Sequence, residues 1–328
     1  MKECNMVDTV KSEIERIASA HLGKAGDGTV VKPYETPDSR DPSLLVPIPR
    51  HLNRTGYSIT DKDFVGHDVW NCYEVSFLTP NGYPVNGVLV LEYPSDSPNI
   101  VESKSLKLYL NSYNMMKIAP REEDYCASES ITWVFEDMVA TDISNALYGD
   151  DERGKGIFSP VRVCFYPNKL NHTQQEYFDV QFMTIEDIVD VNKIDFDIFN
   201  EDPNTLVITN TFGGLQRYHT SALRSNCRVT NQPDWGDVFI HIKGQLSVTP
   251  ESLLKYIVSL RKENHFHEEI CEMVYKRLQD LLKPEELFVA CLYTRRGGID
   301  INPMRASSYE VFERIVNRTG LMKKTMRQ

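Results

Sequence analysis

"DVWNCYEVSFLTPNGYPVNGVLVLEYP", residues 68 to 94, holds two β-favouring runs around Asn81-Gly82. That dipeptide accepts the positive backbone angles of a tight hairpin turn, so the stretch predicts antiparallel strands near 69–78 and 85–93. Downstream, "SKSLKLYLNSYNMM" offers one helix and "ESITWVFEDMVATDISNALYG" a second. In the latter, Ile131, Val134, Phe135, Met138, Val139 and Ile143 recur at helical spacing, with Gly149 as a C-terminal stop. The runs "PVRVCFY", "YFDVQFMTI" and "TLVITNTF" read as further strands. Upstream, "VDTVKSEIERIASAHLG" carries a helical pattern and leads into an irregular Gly, Pro and Asp-rich connection ending near residue 44.

The second half repeats this order at larger scale. Strands are expected near 223–230 and 237–243, then a helical stretch from Pro250 to about Leu282 that breaks near "ENHFHEE", then strand "LFVACLY" and the Gly-rich turn "TRRGGIDINP". Two similar element orders in one chain indicate an α+β protein of two related modules with antiparallel sheets and paired helices.

Composition sets the outer limits. A chain of 328 residues with 41% hydrophobic and 25% charged residues can bury a sizeable core and fits two domains. A formal charge of −11 repels polyanions, which argues against general nucleic-acid binding but leaves room for a local phosphate site. No apolar run approaches the roughly 18 residues of a membrane-spanning helix, and the N-terminus lacks a signal-peptide core, so a cytoplasmic protein is expected. Seven cysteines without a repeated spacing read as thiols rather than a disulfide framework. No Rossmann or P-loop glycine pattern occurs.

Four segments could carry chemistry. In "RSNCRVTNQPDWGD", residues 224–237, Arg224 and Arg228 flank Cys227 and could favour its thiolate, while Asp234 between Pro233 and Trp235 could act as a general acid against an apolar wall. An inert core cysteine and a turn aspartate are the structural alternatives, and the residues alone leave both readings open. In "ENHFHEEIC", His267 and Cys271 are four apart, as in a zinc site, but no CxxC or HExxH accompanies them. Equally, Phe266 and His267 could present flat surfaces to a ring whose N–H groups Glu268 accepts. "ESKSLKLY", residues 102–109, could hold a phosphate or be a solvated helix face, and "YTRRGGIDINP" offers Arg295 and Arg296 before two glycines.

Taken in this order, the segments "ESKSLKLYLNSYN", "SNCRVTNQPDWG", "FHE" and "YTRRGGIDINP", with "DPSLLVPIPRHLNR" upstream, resemble the bimodular 7-cyano-7-deazaguanine reductases, nitrile reductases of queuosine biosynthesis. The resemblance covers nearly the whole chain from about residue 22. It implies two tandem tunnelling-fold modules, residues 1–155 with the signature segment and 156–328 with the cysteine. It further implies Cys227 as nucleophile forming a thioimide, Asp234 as proton donor and His267 as a stacking group that also moves protons. Val101, Glu102, Ser103, Phe266, His267 and Glu268 would bind the deazaguanine, and Ser103, Lys104, Arg296 and Gly297 would bind NADPH, with no metal. A cytoplasmic homodimer without direct nucleic-acid contact follows from the same likeness. A zinc-dependent cyclohydrolase of the same fold and a non-catalytic purine-binding scaffold are the competing readings. The resemblance gives no role to His265, Cys271 or the insertion "DDERGKGIFSP".

Overall fold

The structure is a computed structural model that describes residues 39–120, 127–149, 160–167, 174–209, 214–318, 320–325 and 328, with the side chains of 127–130 left out. The helix expected upstream of residue 24 and the insertion at 150–159 lie outside the described residues. The chain forms two compact units, one from Met1–Asn53, Trp70–His172 and Arg296–Ile299, the other from Arg54–Val69, Thr173–Arg295 and Asp300–Gln328.

In the first unit the Asn81-Gly82 turn joins β1 (Val65–Leu78) to β2 (Pro84–Pro94), and Gly82 takes φ +87° as the hairpin requires. β2 pairs antiparallel with β3 (Arg162–Pro167), from Gly87↔Pro167 to Glu92↔Arg162. Helices α1 (Ser103–Asn111) and α2 (Ala127–Tyr148) complete the unit. Phe135 of α2 is fully buried, its ring 4.9 Å from Phe77 and 5.3 Å from Phe165, so the helical periodicity read from the sequence is the packing face.

The second unit is built on β6 (Pro233–Gly244), which pairs antiparallel with β4 (Gly214–Thr220), β5 (Arg224–Cys227) and β8 (Glu286–Tyr293). The long helical stretch does break where "ENHFHEE" suggested: α3 (Pro250–Ser259) ends, β7 (Asn264–His265) pairs parallel with β5, and α4 (His267–Leu282) begins. Ile270, Cys271, Val274 and Leu278 of α4 recur at helical spacing and are fully buried in a core with Ile240, Leu253, Ile257 and Val289.

Three segments differ from the sequence reading. "YFDVQFMTI" is not a continuous strand: Met183–Thr184 pairs with β4, Phe178 makes an isolated bridge with Val316, and Phe178 and Phe182 pack on the Phe239 ring at 4.8 and 5.3 Å. Their β propensity is answered by aromatic packing rather than by a ladder. "TLVITNTF" contributes only the strand Ile208–Thr209. Conversely, "IDINPMRA" is β9 (Ile299–Ala306), buried at every position and paired antiparallel with β8, and helix α5 (Tyr309–Ile315) follows it. Arg305 of β9 is wholly buried and bonded to Asp68 at 2.8 Å and to Glu272 at 2.9 Å, while Arg54 grips Glu272 at 2.7 Å. Each charge lies inside because each has a partner.

Candidate active site

The cysteine lies at the mouth of the β5–β6 hairpin. Its backbone N–H donates to the Gln232 carbonyl at 2.8 Å, and its carbonyl accepts from Asn231 at 2.9 Å, with Asn231 in the left-handed region at φ +54°. Register then decides which side chains meet. Ser225 pairs with Asp234 and Arg224 with Trp235, and side chains alternate along a strand, so Ser225, Cys227 and Asp234 share one face. Cys227 is half-buried and Asp234 is 7% exposed. On that side His267 Nε2 lies 3.5 Å from Asp234 Oδ2, and the His267 ring packs on Tyr293 with centroids 4.0 Å apart.

The same alternation corrects two expectations. Trp235 is no wall for Asp234; it points to the opposite face, where Arg224 and Arg261 lie over its ring at 5.9 and 5.2 Å. Arg224 also donates to the Arg261 carbonyl, so its charge belongs to the back of the hairpin and not to the thiol. Arg228 turns inward, its Nη2 2.9 Å from Glu269 Oε2 and 2.7 Å from His265 Nδ1.

Helix α4 begins beside this hairpin. Phe266 is its N-cap residue, and Glu269 reaches back to accept the Phe266 N–H at 2.9 Å, half of a capping box. His267 and the 3% exposed Glu268 occupy the first turn. Cys271, one turn further, is fully buried and its Sγ donates to the Val289 and Pro303 carbonyls at 3.6 and 3.4 Å. Burial raises its thiol pKa well above the ordinary range, which disfavours the thiolate a metal ligand needs. His267 meets Asp234, whereas the Cys271 sulfur faces the Val289 and Pro303 carbonyls.

Beneath the hairpin is a group the sequence reading left without a role. His265, paired in register with Cys227, is 7% exposed. Its Nδ1 lies 3.1 Å from Glu269 Oε2, and its Nε2 3.2 Å from Tyr57 Oη and 3.4 Å from Glu263 Oε2. Burial opposes charging this ring, but the bonds to Glu263 and Glu269 outweigh it and hold its pKa above the usual histidine value. The reciprocal bond from His265 holds the Glu263 carboxyl below its usual value.

The first unit carries the signature segment. Val101 is buried at the end of the short strand Asn99–Val101, and Glu102, 3% exposed, is the N-cap of α1. One Glu102 oxygen accepts from the Ser105 N–H at 2.8 Å; burial raises its pKa against the opposing backbone bonds. Ser103 is half-buried and Lys104 exposed in the first turn, while Lys107 bonds Glu74 at 2.8 Å along the wall of a polar cleft of 380 Å³. In the same unit Arg296 and Ile299 close a two-residue turn through Gly297 (φ +59°) and Gly298 (φ +78°). A Cβ on Gly297 would come within 3.5 Å of the Lys107 side chain, and one on Gly298 within 2.6 Å of the Glu74 carboxyl. The positive φ of both residues favours glycine in this turn, which carries Arg296 and has Lys107 against it, two cations of the kind that bind phosphates.

Two family models match the chain: the N-terminal part of the nitrile reductase 7-cyano-7-deazaguanine reductase over residues 36–146, and a QueF-like protein model over 233–311. The chain is 37% identical over 295 residues to the NADPH-dependent 7-cyano-7-deazaguanine reductase of Hahella chejuensis (strain KCTC 2396), covering 88% of this chain and 93% of that protein. Among solved structures, the apo form of the archaeosine synthase QueF-Like aligns with 31% of this chain and 92% of its own, at 16% identity and a TM-score of 0.25.

Proposed function

Since the chain belongs to the family of NADPH-dependent 7-cyano-7-deazaguanine reductases, we propose that it reduces the nitrile of 7-cyano-7-deazaguanine to the aminomethyl group of 7-aminomethyl-7-deazaguanine, a step of queuosine biosynthesis. The observation that carries the residue assignment is the common face of Cys227 and Asp234, with His267 3.5 Å from the acid. The Cys227 sulfur adds to the nitrile carbon, and Asp234 delivers the proton to the nitrile nitrogen, giving a thioimide with no atom expelled. NADPH supplies, when bound, a hydride in each of two reductions. After the first, the C–S bond breaks, the thiol leaves and an imine remains; after the second, the product is the primary amine. His267, between Tyr293 and Asp234, stacks on the ring and relays protons.

Glu102, beside Val101 and Ser103, and Glu268, beside Phe266, are the residues assigned to the deazaguanine, each glutamate accepting polar ring N–H groups. Ser103, Lys104, Arg296 and Gly297 hold the cofactor phosphates. We also read the architecture as two tandem tunnelling-fold modules, 1–155 and 156–328, supported by the hairpin and helix pair in each half, although β3 (Arg162–Pro167) belongs to the first compact unit and Arg54–Val69 to the second. A cytoplasmic homodimer that does not bind nucleic acid fits the acidic chain, and among the described residues no helix is long and apolar enough to cross a membrane. The test is nitrile-dependent consumption of two NADPH per aminomethyl product, with little NADH use. Turnover without nitrile consumption, or loss of activity on zinc removal alone, would contradict the reading.

A further inference from the structure

The hairpin that presents Cys227 and the helix start that presents His267 and Glu268 are joined by one buried cluster. Arg228, the residue after the cysteine, donates to Glu269 Oε2 at 2.9 Å, and the same oxygen accepts the backbone N–H of Phe266 at 2.9 Å. His265 completes the joint: its backbone pairs with Cys227, its Nδ1 meets Glu269 and its Nε2 meets Glu263. The groups facing the ring are Arg228, Glu263, Glu269 and the Tyr57 hydroxyl. Tyr57 is neutral, because burial and the neighbouring Glu263 raise its pKa, and its outer ring face is covered by Arg277, which is itself bonded to Glu201 at 2.9 Å.

Charge counting gives the ring its state. Two carboxylates, the buried Glu269 and the partly exposed Glu263, face one permanent cation, Arg228, so a neutral ring leaves the cluster at minus one and a charged ring leaves it neutral. Uncompensated buried charge is costly, and a charged ring offers an N–H to each carboxylate, which outweighs the opposing Arg228 guanidinium whose Nη2 lies 2.7 Å from Nδ1. We propose that His265 is a positioning residue, an imidazolium whose links to Glu263 and Glu269 lock the Cys227 turn against the start of α4 so that nucleophile and ring-binding groups keep their spacing. A mis-set nucleophile slows attack far more than it weakens binding of a ring held by other side chains. The stability that this charge contributes is complete below the ordinary histidine pKa, about 6.5, and is lost as pH climbs through the raised folded value.

This inference rests on the thioimide reading, and the experiment separates the two. Nitrile is added without NADPH, and adduct formation on the wild type is timed; no adduct there sinks the thioimide reading, whatever the variants do. With that reading standing, His265→Gln, which cannot carry charge, is expected to slow adduct formation at pH 7 at least tenfold while nitrile affinity changes less than threefold. Glu263→Gln added to it restores neutrality and is expected to bring the rate back to within threefold of wild type, a rescue that loss of shape alone does not produce. A folded His265→Gln reacting at the wild-type rate, or a folded double variant no faster than the single, overturns the proposal. If His265→Gln does not fold, the double variant is compared directly with wild type, and a tenfold slower rate overturns the proposal. Histidine-ring NMR of the wild-type protein needs no variant: a charged His265 ring at pH 7 supports the proposal, and a neutral one overturns it.

Discussion

Cys227 and Cys271 stand in the same unit and differ in everything that governs a thiol. Cys227 lies at the open end of a hairpin, half-buried, on one face with Asp234 and near His267. Cys271 is fully enclosed on α4, its Sγ donating to two backbone carbonyls. On the proposed mechanism the rim carries groups whose removal costs reactivity, while the interior carries groups whose removal costs stability. Reactivity is therefore a property of place, and the two regions predict opposite responses to substitution.

The largest effect belongs to the rim. Cys227→Ser keeps the shape but offers a hydroxyl in place of a thiolate; turnover is expected to fall by about 10⁴-fold or more with an unchanged melting temperature. Steady-state rates and a thermal melt on one preparation check both halves. Asp234→Asn should come next, slowing adduct formation by about 10²- to 10⁴-fold while ring binding persists, read by rapid-mixing mass spectrometry against equilibrium binding. If this variant lost binding and kept the rate of bond formation, Asp234 would belong with the ring-holding carboxylates.

The interior should answer in stability. Arg305→Met removes the buried cation that Asp68 and Glu272 share, leaving Arg54 on Glu272, and a loss of about 3–5 kcal/mol in denaturant unfolding is expected. Cys271→Ala removes one buried sulfur and should cost about 1–3 kcal/mol, with activity per folded molecule retained. Activity that vanished in a folded Cys271→Ala protein would erase the contrast between the two cysteines.

Much of the fold was legible in the sequence, and the gaps have physical reasons. The Asn81-Gly82 hairpin and helix α2 could be read because turn chemistry and periodicity are local. Strand β9 could not, because Asp300, Asn302 and Arg305 look like solvent-facing residues until their partners are known: Lys324 for Asp300, the Val69 carbonyl for Asn302, Asp68 and Glu272 for Arg305. "YFDVQFMTI" misled in the opposite sense, since Phe178 and Phe182 pack on Phe239 and the segment makes an isolated bridge and a two-residue strand rather than one continuous ladder. Cys227, Asp234 and His267 were singled out from the sequence, but the face that each strand residue occupies depends on register, and register placed Trp235 and Arg224 on the other side. His265 has no role legible in the sequence, although Glu263 and Glu269 lie two and four residues from it, because the contacts that join it to the Cys227 turn and to Tyr57 come from 37 and 208 residues away.

The most direct measurement is the intact mass of the protein after incubation with 7-cyano-7-deazaguanine in the absence of NADPH, followed by peptide mapping. Addition to a nitrile expels nothing, so the account predicts a gain equal to the whole substrate, carried by the peptide containing Cys227 and absent from Cys227→Ser. An unmodified protein under conditions that support turnover, or an adduct mapped to Cys271, would contradict it.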